Sequence, residues 1–191
     1  AGMARLASAG RATPGAELYI ADDDGKPLPA NQVGEIRLRT RATIRGYYKN
    51  PEATAKEFQN GFWLSGDLGY LDERGYLFIV DRKKDMIISG GFNVYAVEVE
   101  AALCEHEAVS AAAVVGIPHA EWGESVHAEV ILRPGAQVDP AALIEFAKVK
   151  LSYKAPKTIN VVQELPLSAV GKVLRRKVRD KYWASKTRAI N

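Results

Sequence analysis

Asp81-Arg82-Lys83-Lys84-Asp85-Met86-Ile87-Ile88-Ser89-Gly90-Gly91-Phe92-Asn93-Val94-Tyr95 is the stretch on which the organisation of the chain turns. An apolar run, Tyr76 to Val80, leads into it. The charged segment DRKKD follows, then a short strand-like run over Met86–Ser89, a glycine pair and an amphipathic stretch with helical spacing. A charged break between two apolar segments is what a linker between two folded bodies looks like. Paired glycines after a strand let the backbone turn sharply or approach something closely, with no Cβ in the way. Taken alone, the stretch also fits a surface loop and a tight turn, so its surroundings decide.

The chain has 191 residues, 47% hydrophobic and 26% charged. That is the composition of a globular protein long enough to bury a core in one large domain or two small ones. Its one cysteine, Cys104, rules out a disulfide framework and a cysteine-based zinc site, and favours a reducing, cytoplasmic location. No apolar run reaches membrane-spanning length, and the first residues do not read as a signal peptide. The chain opens Ala1-Gly2-Met3, which leaves its natural start open. Residues 1–81 carry 10 Lys+Arg against 11 Asp+Glu, whereas residues 82–191 carry 16 against 12. The basic excess gathers in Lys172, Arg175, Arg176, Lys177, Arg179, Lys181, Lys186 and Arg188, with Asp180 as the acidic residue among them. Such a tail suits a nucleic acid, a membrane surface, a phosphorylated small molecule, or simply a solvated helix face.

Upstream of the charged break the pattern is mostly β. Glu17–Ala21 reads as a strand, and Asp22-Asp23-Asp24-Gly25 as a turn rather than a calcium loop, because the further spaced oxygen ligands are missing. Val33–Thr40 alternates apolar and polar residues, so it predicts a half-buried strand. Asn50 caps a short helix with Pro51 at its first position, ending near Phe58. The apolar run Gly61–Leu64 is interrupted by Ser65-Gly66-Asp67-Leu68-Gly69. A hairpin over Gly69–Leu71 and Gly75–Val80 follows, turning at Asp72-Glu73-Arg74-Gly75.

Downstream, Tyr95 to about Glu105 predicts a helix with Val99 and Leu103 on one face, and Glu98 and Glu100 largely on the other. Val109–Ile117 and Val126–Leu132 read as buried strands. Asp139-Pro140 opens a helix that turns Leu143, Phe146 and Ala147 inward and ends near Leu151. Thr158–Val162 is a further strand, Pro166–Gly171 a loop, and a basic helix starts at about Val173. The order β-α-β-β-α-β-α describes a small α+β body with helices packed on a sheet.

Two polar residues stand out. Asp67, between glycines after a β run, is suited to accept hydrogen bonds from a diol such as a ribose, and equally suited to form a turn. Lys172 ends the loop Pro166-Leu167-Ser168-Ala169-Val170-Gly171. It is a flexible cation with three donors, suited to a phosphate or a developing carboxylate oxygen, and also the kind of lysine any surface loop carries.

Four pieces in this order and spacing resemble the C-terminal part of an adenylate-forming enzyme of the acyl-CoA synthetase, luciferase and peptide-synthetase adenylation group. They are Ser65–Gly69; Asp81–Asp85 leading to Gly90-Gly91-Phe92-Asn93-Val94-Tyr95 and Glu98-Val99-Glu100; Gly116-Ile117-Pro118 with Trp122-Gly123-Glu124; and Pro166 to Gly171-Lys172. Gly34-Glu35-Ile36 and Gly46-Tyr47-Tyr48-Lys49-Asn50-Pro51-Glu52 agree with the acyl-CoA synthetase branch. The resemblance covers essentially the whole chain. It implies an α+β protein with the β-rich end of a large AMP-binding domain in residues 1–83. A small mobile α+β domain would occupy 84–191, with the hinge at Lys84, where the family has Asp or Lys. The phosphate loop, the adenine-contacting segment and most of the acid pocket would lie upstream of these residues.

The resemblance also implies roles. Asp67 and Arg82 would hold the ribose of ATP or AMP, and Lys172 would reach the carboxylate and α-phosphate during adenylation. Ser89, Gly90 and Gly91 would line a tunnel for the thiol arm of CoA, and Trp122 and Tyr153 would stack on the CoA nucleotide beside Lys154 and Lys157. ATP and CoA would be co-substrates with a small carboxylic acid, and Mg2+ would be bound mainly by the upstream part. No metal site, nucleic-acid partner or membrane span is expected in these residues. Ala96 stands where the family often has Pro, and Phe92 where many acyl-CoA synthetases have Glu, so this loop does not name the acid. A carrier-protein phosphopantetheine in place of CoA, a stand-alone basic binding module, and acetylation of Lys172 as a regulatory step remain alternatives.

Overall fold

The computed structural model describes residues 6–184; Ala1, Gly2 and Met3 and the tail cations Lys186 and Arg188 lie outside them. The backbone separates into two units, divided between Lys83 and Lys84.

The first unit is built on a sheet of β1 (Gly10–Arg11), β2 (Glu17–Ala21), β3 (Gly34–Arg39), β4 (Phe58–Gln59), β5 (Phe62–Leu71) and β6 (Tyr76–Arg82), with helix α1 (Pro51–Glu57) before β4. The order is β1-β6-β5-β3-β2, with β4 added against β5, and every pairing is antiparallel. Ile20, Ala21, Ile36 and Leu68 are its buried apolar centre. The local signals act as their chemistry requires. Asn50 Oδ1 accepts from the Ala53 amide at 3.0 Å and caps α1. Asp22 Oδ1 takes the Lys26 amide at 2.8 Å, which makes the aspartate run a turn.

One expectation is corrected. Ser65–Gly69 does not interrupt the apolar run, because β5 is continuous from Phe62 to Leu71. The segment is a bulge. Glu35 pairs with Leu68 and Arg37 with Leu64, so Ser65-Gly66-Asp67 bows out opposite Ile36. Gly66 takes a φ of 70°, a conformation that glycine adopts without penalty. The Ser65 hydroxyl donates to the Ile36 carbonyl at 2.9 Å and accepts the Asp67 amide at 3.1 Å.

A 3₁₀ turn, Lys83–Asp85, spans the division, and the second unit continues from it into β7 (Ile87–Ser89). There follow β8 (Phe92–Val94), α2 (Ala96–Cys104), β9 (Val109–His119), β10 (Gly123–Leu132), α3 (Pro140–Leu151), β11 (Thr158–Val161) and α4 (Arg175–Trp183). Strand β8 is an element the sequence pattern had not indicated. Strand β10 is the hub: β9 pairs with it antiparallel, β11 parallel, and β7 meets it at Gly123↔Ser89. The parallel pair needs a crossover, which α3 supplies.

The sheet is covered on both faces, which explains the nearly unbroken apolar run of β9. Ala112 and Val114 point into the larger core with Val99 and Leu103 of α2 and Leu143 and Ala147 of α3. Their neighbours Ala113 and Val115 point the other way, into a smaller core with Leu165 and Val178 of α4. The outer edge of β9 is closed by side chains. Glu100 Oε1 accepts the Val114 amide at 2.9 Å, and the Trp183 indole donates to the Gly116 carbonyl at 2.9 Å.

A buried polar chain also holds α4. His127 Nδ1 pairs with the Thr158 hydroxyl at 2.6 Å and its Nε2 with the Tyr182 hydroxyl at 2.8 Å. Tyr182 donates to Glu129 Oε1 at 3.2 Å, and Lys181 Nζ bridges both Glu129 oxygens at 3.0 Å. Burial holds the His127 pKa below its ordinary 6.5, with Glu129 opposing and Lys181 adding to the shift. The folded state therefore binds fewer protons than the unfolded chain below that value. The contribution to stability is complete above 6.5 and is lost as pH falls through the folded pKa. We expect the stability of this chain against urea to fall from pH 7.5 to pH 5, and His127→Gln to flatten that dependence. An identical slope in the variant would assign the acid sensitivity to other groups.

Candidate active site: a carboxylate–guanidinium pair, a glycine hairpin and a lysine loop

The bulge in β5 aims Asp67 across the hairpin at its register partner, Arg82, at the end of β6. The Arg82 Nε stands 3.7 Å from Asp67 Oδ1, and both side chains remain partly open to solvent. A carboxylate and a guanidinium side by side offer acceptors and donors to a diol. The neighbouring Asp81 is buried and turns inward to accept the Arg82 amide at 2.8 Å.

Adjacent to this pair, Lys83 reaches back into the first unit. Its Nζ lies 3.6 Å from Glu35 and 3.4 Å from Asp23, and Glu35 also meets Arg37 at 3.5 Å. Glu35 and Arg37 are buried charges on β3. The alternation that identified β3 carries no sign of where charged side chains on a strand find partners, so this cluster was not foreseen.

In the second unit Gly90 and Gly91 make the two-residue turn of the β7–β8 hairpin, with φ of 58° and 83°. Positive φ at both turn positions matches the right-handed twist of the strands and favours glycine strongly. The five residues with an expected CoA role are brought together here. Ser89 pairs with Phe92 across the hairpin and with Gly123 of β10. The Gly90 amide donates to the Trp122 carbonyl at 3.2 Å. Phe92 packs on Tyr153 with ring centroids 4.9 Å apart. Trp122, 40% exposed, stacks on His119 at 4.4 Å, and Lys157 Nζ stands 5.9 Å from its ring. Lys154 is drawn away to Glu98 at 2.8 Å.

Lys172 occupies a tight loop closed by the Leu167↔Val173 bridge. Gly171 has a φ of 76°, and the Ser168 hydroxyl accepts the Lys172 amide at 3.1 Å. The loop leads directly into α4, and Lys172 itself is exposed. The basic character of α4 is largely answered within the protein. Arg175 forks onto Glu100 at 2.7 and 2.5 Å and reaches Asp85 at 3.5 Å. Arg179 donates to the Lys84 carbonyl at 3.2 Å, Arg176 pairs with Asp180 at 3.5 Å, and Lys181 with Glu129. Glu100, expected on the solvent side of α2, is instead the partly buried acceptor of this set.

Two family models meet this chain, "AMP-binding enzyme" over residues 2–48 and "AMP-binding enzyme C-terminal domain" over residues 98–172. The chain belongs to the AMP-binding enzymes. Among curated members of the family it is 44% identical to 2-succinylbenzoate–CoA ligase of Geobacillus kaustophilus, over 93% of this chain and 36% of that protein. It is 40% identical to the fatty acid–acyl-carrier-protein ligase ScoC of Streptomyces coeruleorubidus, over 100% of this chain and 37% of the relative. Among solved structures, ATP-bound MatB from Rhodopseudomonas palustris is 38% identical with a TM-score of 0.87, covering 92% of this chain and 36% of MatB. The chain spans little more than a third of the length of these family members, and matches their C-terminal part.

Proposed function

We propose that these residues are the C-terminal part of an ATP-dependent acid–CoA ligase that works through an acyl-adenylate. One observation carries the reading. The Lys172 loop leads into α4 on one face of the sheet, whereas Tyr153 follows α3 on the other, beside the glycine hairpin. A reaction that needs both has to present them in turn.

In the first step a carboxylate oxygen of the acid attacks the α-phosphorus of ATP. The bond to the β,γ-diphosphate breaks, and pyrophosphate leaves with its electron pair. Asp67 accepts the ribose hydroxyl hydrogens and Arg82 donates to the ribose oxygens, so the nucleotide is held from the end of β6. Lys172 brings a cation to the acid carboxylate and the α-phosphate oxygens as charge gathers there, and the gain lies in its being in place before the charge develops. In the second step the thiol sulfur of CoA attacks the adenylate carbonyl. The carbon–oxygen bond to AMP breaks, AMP leaves as the anion, and the thiol proton is released. Gly90 and Gly91 leave room for a thin thiol arm, and Trp122 offers a ring face for the nucleotide end. The second unit would turn about Lys84 between the steps. Mg2+ would neutralise the phosphates of ATP. Its ligands are proposed to lie mainly in the upstream part, and the compartment is proposed to be cytoplasmic.

A second thiol acceptor has a specific reason behind it: a relative matched over the full chain is named a carrier-protein ligase. The test is acid-dependent exchange of labelled pyrophosphate into ATP, followed by thioester formation, with the full-length protein. Decanoate, palmitate, 2-succinylbenzoate and ferulate serve as acids, with CoA and a holo-carrier protein as competing acceptors. We expect exchange with at least one acid, preference for CoA, and no product from the 191-residue chain alone. Turnover by the isolated chain, or no exchange with any acid, would contradict the proposal.

A further inference from the structure

Consecutive residues at the unit boundary are each held within their own unit. Lys83 is held to the first unit by Glu35 and Asp23. The carbonyl of the next residue, Lys84, is held to the second unit by Arg179, and Asp85 by Arg175. Arg175, Arg179 and Trp183 are spaced four residues apart, so they form one stripe of α4. That stripe reaches the 84–85 peptide, Glu100 of α2 and the Gly116 carbonyl on the edge of β9. On the neighbouring flank of α4, Val178 packs into the smaller core. Helix α4 thus cannot shift relative to α2 without breaking a forked ion pair whose members are mostly shielded, with side-chain exposures of 20% for Arg175 and 17% for Glu100. Nor can it shift relative to the 84–85 peptide without breaking the Arg179 bond to the Lys84 carbonyl and the Arg175–Asp85 contact. Lys172 lies three residues before Arg175 on the same segment.

We infer that Arg175 and Arg179 are positioning residues. They make α4 a strut that fixes the Lys172 loop to the peptide plane just after the pivot. Together with the Lys83 grip, they confine rotation to the two backbone torsions of Lys84. The inference rests on the proposed function for its catalytic meaning, but its mechanical part does not. The strut makes the position of Lys172 a direct consequence of the Lys84 torsions, with no slack between pivot and cation. A 1 Å misplacement of a reacting group costs up to about 10²-fold in rate, so slack at this point is expensive.

Two measurements on the full-length enzyme separate the layers. Deuterium uptake by the peptide over residues 84–88 should rise about tenfold in Arg179→Met, from loss of a charge-assisted hydrogen bond. Uptake across Val126–Val130 of β10 should stay as in the wild type. Arg179→Lys, which keeps a donor, should fall nearer the wild type. Unchanged uptake at 84–88 in Arg179→Met would overturn the strut, whatever the enzyme does with substrates. The kinetic measurement uses the double variant Arg175→Met/Glu100→Gln, which removes both members of the forked pair and so leaves no unpaired carboxylate at Glu100. The 3.5 Å contact of Arg175 to Asp85 is lost with it as part of the strut. With decanoate, palmitate, 2-succinylbenzoate or ferulate as the acid, pyrophosphate exchange should fall about thirtyfold. The KM for ATP should stay within about twofold, and thioester formation from supplied acyl-adenylate within about threefold, as for a shift in position alone. Full exchange activity in the double variant, or equal loss of both steps, would overturn the positioning role. A wild type that adenylates none of the four acids would remove the proposed function, and the strut would then stand or fall on deuterium uptake.

Discussion

In the full-length enzyme, Lys172→Ala is expected to cut acid-dependent pyrophosphate exchange by about 10²- to 10³-fold, the usual effect of removing one preplaced stabiliser of developing charge. Thioester formation from supplied acyl-adenylate should stay within about threefold of the wild type, because the phosphoryl chemistry is then already complete. The structure makes this a clean substitution. The Lys172 side chain is exposed, and its loop is held by backbone and Ser168 contacts that alanine retains. Thermal unfolding should therefore be unchanged, so lost activity would not reflect lost fold. Lys172→Arg should recover only part of the exchange. A guanidinium is planar and forked, whereas an ammonium offers three donors around one point. Rapid-quench measurement of each half-reaction checks the split. Equal loss in both would argue that Lys172 supports the whole unit rather than the first step.

Gly91→Asn is expected to do the reverse, lowering thioester formation by about 10²-fold while pyrophosphate exchange is retained, since obstructing or misplacing an attacking group has effects of that size. Gly91 has a φ of 83°, and a Cβ there would meet nothing within 4 Å. The hairpin itself therefore has room for the side chain. Asparagine is among the few residues that accept this backbone region, so the β7–β8 turn should survive. What the side chain would fill is the open space beside the turn, where the thiol arm is proposed to pass. A Gly91→Asn enzyme that loads CoA at the wild-type rate would move the thiol path elsewhere. With Lys172→Ala, the pair forms a double dissociation that a general loss of stability cannot imitate.

Much of this was readable from the amino-acid order because the signals are local. The Asn50-Pro51 and Asp139-Pro140 starts cap α1 and α3 as read, with Asp139 Oδ1 accepting the Ala141 amide at 2.9 Å. Alternation found β3, and the long apolar runs found β9 and β10 as strands covered on both faces. The β7–β8 hairpin was missed although its signal was present. Gly90-Gly91 between Ile87-Ile88-Ser89 and Phe92-Asn93-Val94 is a two-residue turn between short strands, but three residues are too few for a visible period. The bulge at Ser65-Gly66-Asp67 was read as a break because the glycines hide a strand that continues around them. The ion pairs were beyond local pattern altogether. Arg175 and Glu100 stand 75 residues apart, and nothing in the spacing of either helix announces the other. The candidate roles came from the resemblance. The structure adds that Asp67 meets Arg82 directly, that the glycine hairpin meets Trp122, and that the basic helix is occupied internally more than offered outward.

The central claim is that the second unit turns about Lys84 between two half-reactions. The most direct test is a pulsed electron resonance distance measurement on the full-length enzyme. Cys104, which is exposed, is first replaced by serine. Spin labels then go on Glu73→Cys in the β5–β6 turn and on Val149→Cys of α3, whose native side chain is 89% exposed. The expected result is one distance with ATP and a non-reacting acid analogue, and a second, distinct distance with a stable acyl-adenylate analogue and CoA. One and the same distance distribution under both conditions would contradict it.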